Sequence, residues 1–225
     1  VDGMNLEGAQ NLAADGRTLY FMAAVSTYEL CMSIRPSTED QWQAPEELGP
    51  PINSWAREIG PAVSTDGLEL FFSSNRPVAA ALGDDDIYVS TRPSTDAPWG
   101  TPVNLGANVN SRVAEGYVSL AAADLLLFFG SFREAGLGAE DLWVSARATK
   151  ADPWGPAFNL GPTINSPYYD RDLRLSADCS TFYLSTSRPG GQGNLDIWQG
   201  AIVSTPSELQ KDKGKYRVAP PGTRP

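Results

Sequence analysis

The chain has 225 residues, with 27 acidic and 17 basic side chains, a net charge of −10 and no histidine. That balance argues against nucleic acid and anionic lipid as partners, because both require a cationic footprint, and the missing histidine excludes Ser-His-Asp, Cys-His and histidine–zinc chemistry. The 21 glycines and 18 prolines suit closely spaced turns rather than helices, and no apolar run approaches the roughly 20 residues of a membrane span.

The first segment reads QNLAADGRTLYFMAA, ELCMSIRPS and WQAPEELGPPINS, and it is the loosest of four copies. The second reads GPAVSTDGLELFFSSNRP, DDDIYVSTRPS and WGTPVNLGANVNS; the third reads YVSLAAADLLLFFGSFR, EDLWVSARATK and WGPAFNLGPTINS; the fourth reads DLRLSADCSTFYLSTSRP and LDIWQGAIVS. The turn positions Asp15, Asp66, Ala123 and Asp178 lie 51, 57 and 55 residues apart. Periods of that size with four short strand patterns each predict propeller blades. In the second repeat the strands are predicted at 61–64, 68–73, 87–92 and 102–105, with Asp66-Gly67 as the hairpin turn.

One all-β domain is expected over residues 1–204, with blades at about 1–53, 54–111, 112–166 and 167–204. A basic, Pro-flanked tail occupies 205–225; it carries five basic and two acidic side chains, which leaves −13 on the remainder. The fourth repeat lacks a Trp-Gly outer strand, so the tail segment from Lys215 to Ala219 is the chain available to cover its open edge. A closed four-bladed ring is therefore expected, with a fragment of a larger propeller as the alternative. Cys31 and Cys179 are too few for a disulfide framework or a thiolate metal site.

The recurring order is an Asp-Gly turn, an aromatic second strand, an Asp-Ile-Tyr or Asp-Ile-Trp third strand, then Trp-Gly and Asn-Leu-Gly. It resembles the WD-like β-propeller repeat of TolB-type and OmpA-associated bacterial envelope proteins, over residues 7 to about 203. The resemblance implies a periplasmic or extracellular protein whose leader is not part of this chain. The first repeat departs by placing Val25 where the others have Arg76, Arg133 and Arg188.

Eight residues before each turn stands a carboxylate: Glu7, Glu58, Glu115 or Asp170. In a propeller this position precedes the innermost strand, so the four acids are expected to gather at one mouth of the axial channel. There they would attract a cation such as calcium or an amine-bearing ligand; the alternative is that each pairs with a basic neighbour, Arg57, Arg112 or Arg171, or caps local backbone donors. No resident cofactor is expected. A second acidic series, Glu29, Asp86, Asp141 and Asp196, opens the third strands, and ion pairs with Arg76, Arg133 and Arg188 are expected to absorb it. The run Asp84-Asp85-Asp86 lacks the spacing of a calcium loop and is expected to be solvated. Trp42, Trp99 and Trp154 recur as packing residues would, whereas Trp55, Tyr117, Tyr168, Tyr169 and Arg174 break the repeat and are ligand candidates.

The leading expectation is a non-enzymatic binding module that recognises a protein, peptide or glycan at the channel mouth. The alternative is an enzyme whose carboxylates at that mouth act on a glycoside or a small metabolite without histidine.

Overall fold

The computed structural model describes residues 5–24, 27–202 and 216–219, with the backbone alone at 5–9 and 216–219. The described residues form sixteen strands and no helix. In chain order the strands make four antiparallel four-stranded sheets, the blades of a four-bladed β-propeller fold. The first holds β1 (Asn5–Leu12), β2 (Thr18–Ala24), β3 (Tyr28–Ile34) and β4 (Glu46–Glu47). The second holds β5 (Glu58–Val63), β6 (Glu69–Ser74), β7 (Asp86–Thr91) and β8 (Val103–Asn104). The third holds β9 (Glu115–Ala121), β10 (Leu126–Ser131), β11 (Asp141–Ala146) and β12 (Phe158–Asn159). The fourth holds β13 (Asp170–Leu175), β14 (Thr181–Thr186), β15 (Asp196–Ile202) and β16 (Tyr216–Ala219). β16 pairs antiparallel with β15, Ala219 opposite Gln199 and Tyr216 opposite Ile202. The remainder of the tail, like Val25, lies outside the described residues.

The chain divides into two compact units, residues 1–118 and 119–225. In the first unit Tyr20 and Leu30 of one sheet pack with Ile52 and with Val63, Leu70, Phe72 and Tyr88 of the next. In the second unit Leu126, Phe128, Leu142 and Val144 pack with Leu173, Phe182, Leu184 and Trp198. Each such fully buried side chain contributes about 1.5–3 kcal/mol. Both faces of the middle strands are covered, which is why β6 and β10 read as near-continuous apolar runs rather than as alternating ones.

β5 begins at Glu58, three residues earlier than its sequence predicts, and carries an irregularity between Ile59 and Ala62. Gly60 at φ +61° makes that kink, and Tyr117 (φ +54°) and Asp172 (φ +56°) occupy the equivalent position in β9 and β13. A Cβ at Gly60 would lie 3.1 Å from the backbone of Tyr117. Gly60→Ala therefore combines left-handed strain with a backbone clash and is expected to destabilise the protein by more than ~1 kcal/mol in urea titrations. At Gly106 (φ +73°) nothing stands within 4 Å, so Gly106→Ala is expected to cost only the conformational term, about 1 kcal/mol.

Candidate functional site

Between consecutive sheets the chain writes the same tripeptide: Ile52-Asn53-Ser54, Val109-Asn110-Ser111 and Ile164-Asn165-Ser166. The asparagine brackets the backbone of the preceding third strand. Asn53 accepts from Leu30 N at 2.9 Å and donates to Leu30 O at 3.0 Å; Asn110 does the same at Ile87 and Asn165 at Leu142. Asn110 and Asn165 also donate to Asn104 and Asn159 of the outer strands, which in turn donate to Asp86 and Asp141. The Asn-Leu-Gly motif is thus a polar relay inside the second and third blades.

The serine of the tripeptide takes hold of the acid that opens the next sheet. Ser54 gives Glu58 both its backbone N–H (3.1 Å) and its hydroxyl (2.6 Å). Ser111 does so for Glu115 and Ser166 for Asp170. Ser74 Oγ adds a third hydrogen bond to Glu58 at 2.9 Å. Arg76 Nη2 then reaches Glu58 at 3.1 Å and the carbonyl of Ile52, while its guanidinium lies over the Tyr88 ring. Arg188 repeats this with Asp170 at 2.6 Å, the carbonyl of Ile164 and the Trp198 ring.

Glu58, Glu115 and Asp170 are all buried, and their oxygens face into these joints. Ion pairing is therefore what the structure shows for Glu58 and Asp170, and hydrogen bonds from a serine N–H and hydroxyl for all three; the side chain of Glu7 lies outside the described residues. The arginines at Glu58 and Asp170 are Arg76 and Arg188, not the sequence neighbours Arg57 and Arg171, because strand pairing brings the end of the second strand beside the start of the first. It follows that Arg76 and Arg188 do not serve the third-strand acids. Asp86 instead caps Leu82 N and Gly83 N, Asp141 caps Leu137 N and Gly138 N, and Asp196 caps Gln192 N and Gly193 N. The expected solvated run at 84–86 is also corrected: Asp85 and Asp86 are buried, with Asp85 held by Arg57. Among the described residues no group of three or more Cys, Asp or Glu side chains is placed to hold a metal ion.

The repeated tryptophans act in packing. Arg35, Arg92 and Arg147 lie over Trp42, Trp99 and Trp154 at 4.5, 4.1 and 4.4 Å, and each arginine also donates to a carbonyl of its own blade's hairpin turn, at Gly16, Gly67 and Asp124. The irregular residues behave differently. Trp55, directly after Ser54, is 78% exposed, and Tyr168 and Tyr169, just after Ser166, are 43% and 41% exposed. Tyr117 occupies the kink of β9, and Arg174 is paired with Asp172 at 3.1 Å.

Tyr169 does not stand alone. Phe132, from the β10–β11 loop and 42% exposed, meets its ring edge-on at 6.3 Å, and the Arg171 guanidinium lies 5.4 Å from its centroid. Beneath them is Glu140, 1% exposed, with Arg171 Nη2 2.6 Å from its Oε2. Burial outweighs the Arg171 guanidinium beside it and pushes the Glu140 carboxyl up to about 7. Sequence reasoning missed Glu140 and Phe132. The signal for Glu140 is its place one residue before the third-strand acid, where the second repeat has Asp85.

No protein-family model and no curated protein matches the chain. Solved structures do match, with sequence identities that establish the fold alone. TolB from Acinetobacter baumannii is 12% identical with a TM-score of 0.61, over 96% of this chain and 44% of its own length. An endo-arabinase from Bacteroides thetaiotaomicron is 14% identical with a TM-score of 0.61, over 97% of this chain and 84% of its own. A thermostable family-43 glycoside hydrolase is 12% identical with a TM-score of 0.60, over 92% and 73% respectively. The chain spans less than half the length of the Acinetobacter TolB.

Replacing Arg76 by Leu strands the Glu58 charge in the interior and is expected to cost about 3–5 kcal/mol by chemical denaturation. Glu58→Gln combined with Glu115→Gln is expected to destabilise the fold by about 2 kcal/mol or more, since two hydrogen-bonded joints are broken. Glu140 holds its proton to higher pH when folded than when unfolded. Stability should therefore fall as pH rises from about 4.5 to about 7 and level off above that. Denaturation of Glu140→Gln between pH 4 and 8 should show this slope flattened.

Proposed function

We propose that the chain is a binding module of the bacterial periplasm or cell exterior that recognises a protein or peptide through aromatic side chains displayed from its inter-blade joints. One observation carries this reading. The joint positions shared by the repeats are buried and hydrogen-bonded, whereas the positions immediately beside them present Trp55 in the first unit and Tyr168 and Tyr169 in the second. Tyr169, buttressed by Phe132 and Arg171, is a preorganised contact of the kind that dominates protein recognition, where Trp, Tyr and Arg supply most of the energy. The likeness of fold to TolB and the resemblance of the repeat to envelope proteins support the location.

A carboxylate enzyme is the second reading, favoured by Glu140, whose carboxyl sits in the range of a general acid at neutral pH, and by the fold shared with family-43 hydrolases. Its burial under Arg171 and Tyr169 weighs against it. Selection of a displayed random-peptide library on the whole chain distinguishes the two. Binders are expected to lose at least tenfold in affinity to Tyr168→Ala/Tyr169→Ala, and a separate set to Trp55→Ala. Peptides that bind the variants as tightly as the parent, or hydrolysis of nitrophenyl glycosides abolished by Glu140→Gln, would overturn the proposal.

A further inference from the structure

At the opposite end of the first unit's blades, where the hairpin turns β1–β2 and β5–β6 approach one another, lies a cavity of about 410 Å³. Its floor is Tyr20, Met32 and Val63, and its rim carries Arg17 and Arg92 with Asp15, Asp66 and Asp96. Tyr20 is buried, has the Arg92 guanidinium beside its hydroxyl and meets Trp99 in a T-shaped arrangement with ring centroids 6.5 Å apart.

The second unit contains the same structural position, and the backbone identifies it residue by residue. Ile202 N bonds to Ser180 O as Arg92 N bonds to Leu68 O. Leu126 pairs with Ala146 as Thr18 pairs with Ile34, and Phe128 with Val144 as Tyr20 with Met32. Where the first unit has Thr18, Tyr20 and Arg92, the second has Leu126, Phe128 and Ile202. A cleft of about 20 Å³ in the second unit, lined wholly by apolar side chains, has Phe128, Leu175 and Ile202 among its walls, the counterparts of Tyr20, Val63 and Arg92. The first unit thus places a phenol and a guanidinium in its cavity at positions where the second unit has Phe128 and Ile202.

We infer that this cavity is a binding site for a neutral polyhydroxylated ring, a mono- or disaccharide. Its volume lies within the range of small-molecule sites. Carboxylates on the rim accept hydrogen bonds and guanidinium groups donate them; a hydroxyl satisfies both, whereas a strongly charged ligand of either sign meets repulsion from one set. The apolar floor of Tyr20, Met32 and Val63 suits the C–H face of a sugar ring. The site uses none of the aromatic residues of the proposed protein-binding surface, so either proposal stands or falls without the other.

The test titrates the whole chain, by ligand-observed NMR and calorimetry, with D-glucose, D-xylose, L-arabinose and cellobiose, and with citrate and spermidine as charged probes. At least one sugar is expected to bind with a millimolar or tighter Kd and neither charged probe to compete. Tyr20→Phe, which preserves shape, should weaken the sugar roughly three- to tenfold. The triple change Thr18→Leu/Tyr20→Phe/Arg92→Ile installs the residues of the second unit and should abolish binding while cooperative unfolding persists; if it does not fold, Tyr20→Phe decides. Absence of binding by all four sugars, preferential binding of citrate or spermidine, or unchanged affinity in Tyr20→Phe would each overturn the inference.

Discussion

A buried carboxylate held by the serine four residues before it is the constraint on which the rest depends. Each β-sheet of this protein is a separate ladder, and single backbone bonds cross to the next from Glu115 N to Asp85 O and from Asp170 N to Glu140 O. The connection is made by a short peptide that turns its asparagine back to the third strand just completed and its serine forward to the acid of the strand about to begin. Arg76 and Arg188 close two of these knots by meeting both the acid and a carbonyl of the tripeptide. A charge placed at zero exposure is costly unless every lone pair is engaged. Such a joint therefore tolerates little variation, and its cost is offset by fixing the angle at which each blade leaves the previous one.

This rigidity explains where specialisation has entered the chain. Residues beside the knots are carried on a backbone that is already held, so an aromatic placed there loses little further freedom when it meets a partner. The same logic applies at the hairpin-turn end. Arg92 is committed to the Gly67 carbonyl and the Trp99 face as Arg35 and Arg147 are in their own blades, and the fourth blade has Ile202 at that position.

Much of this architecture was legible in the sequence because apolar periodicity and turn residues act locally. The strands of the second repeat fall within three residues of their predicted limits, and the position of the acids before the innermost strands was evident. Their role was not, since it depends on which arginine folds back across a strand pair: Arg76, eighteen residues from Glu58 in sequence, rather than Arg57 next to it. Glu140 escaped notice for a related reason, as its perturbation comes from burial under Tyr169 and Arg171, which belong to the following blade. The cavity in the first unit was invisible for a third, because its walls come from two blades, Tyr20 and Met32 from the first and Val63 and Arg92 from the second.

The kink shared by Gly60, Tyr117 and Asp172 has an evolutionary meaning. A residue in the left-handed conformation leaves the in-and-out alternation of its strand, so its side chain is required by neither of the cores that the blade helps to build. Glycine adopts that conformation freely, and replacing it elsewhere in the repeat carries a penalty of about 1–2 kcal/mol, small enough for a duplicated blade to bear. The repeat thereby contains one position per blade at which chemistry can change while the packing code stays fixed, and the three copies already hold three different answers: nothing, a phenol and a carboxylate.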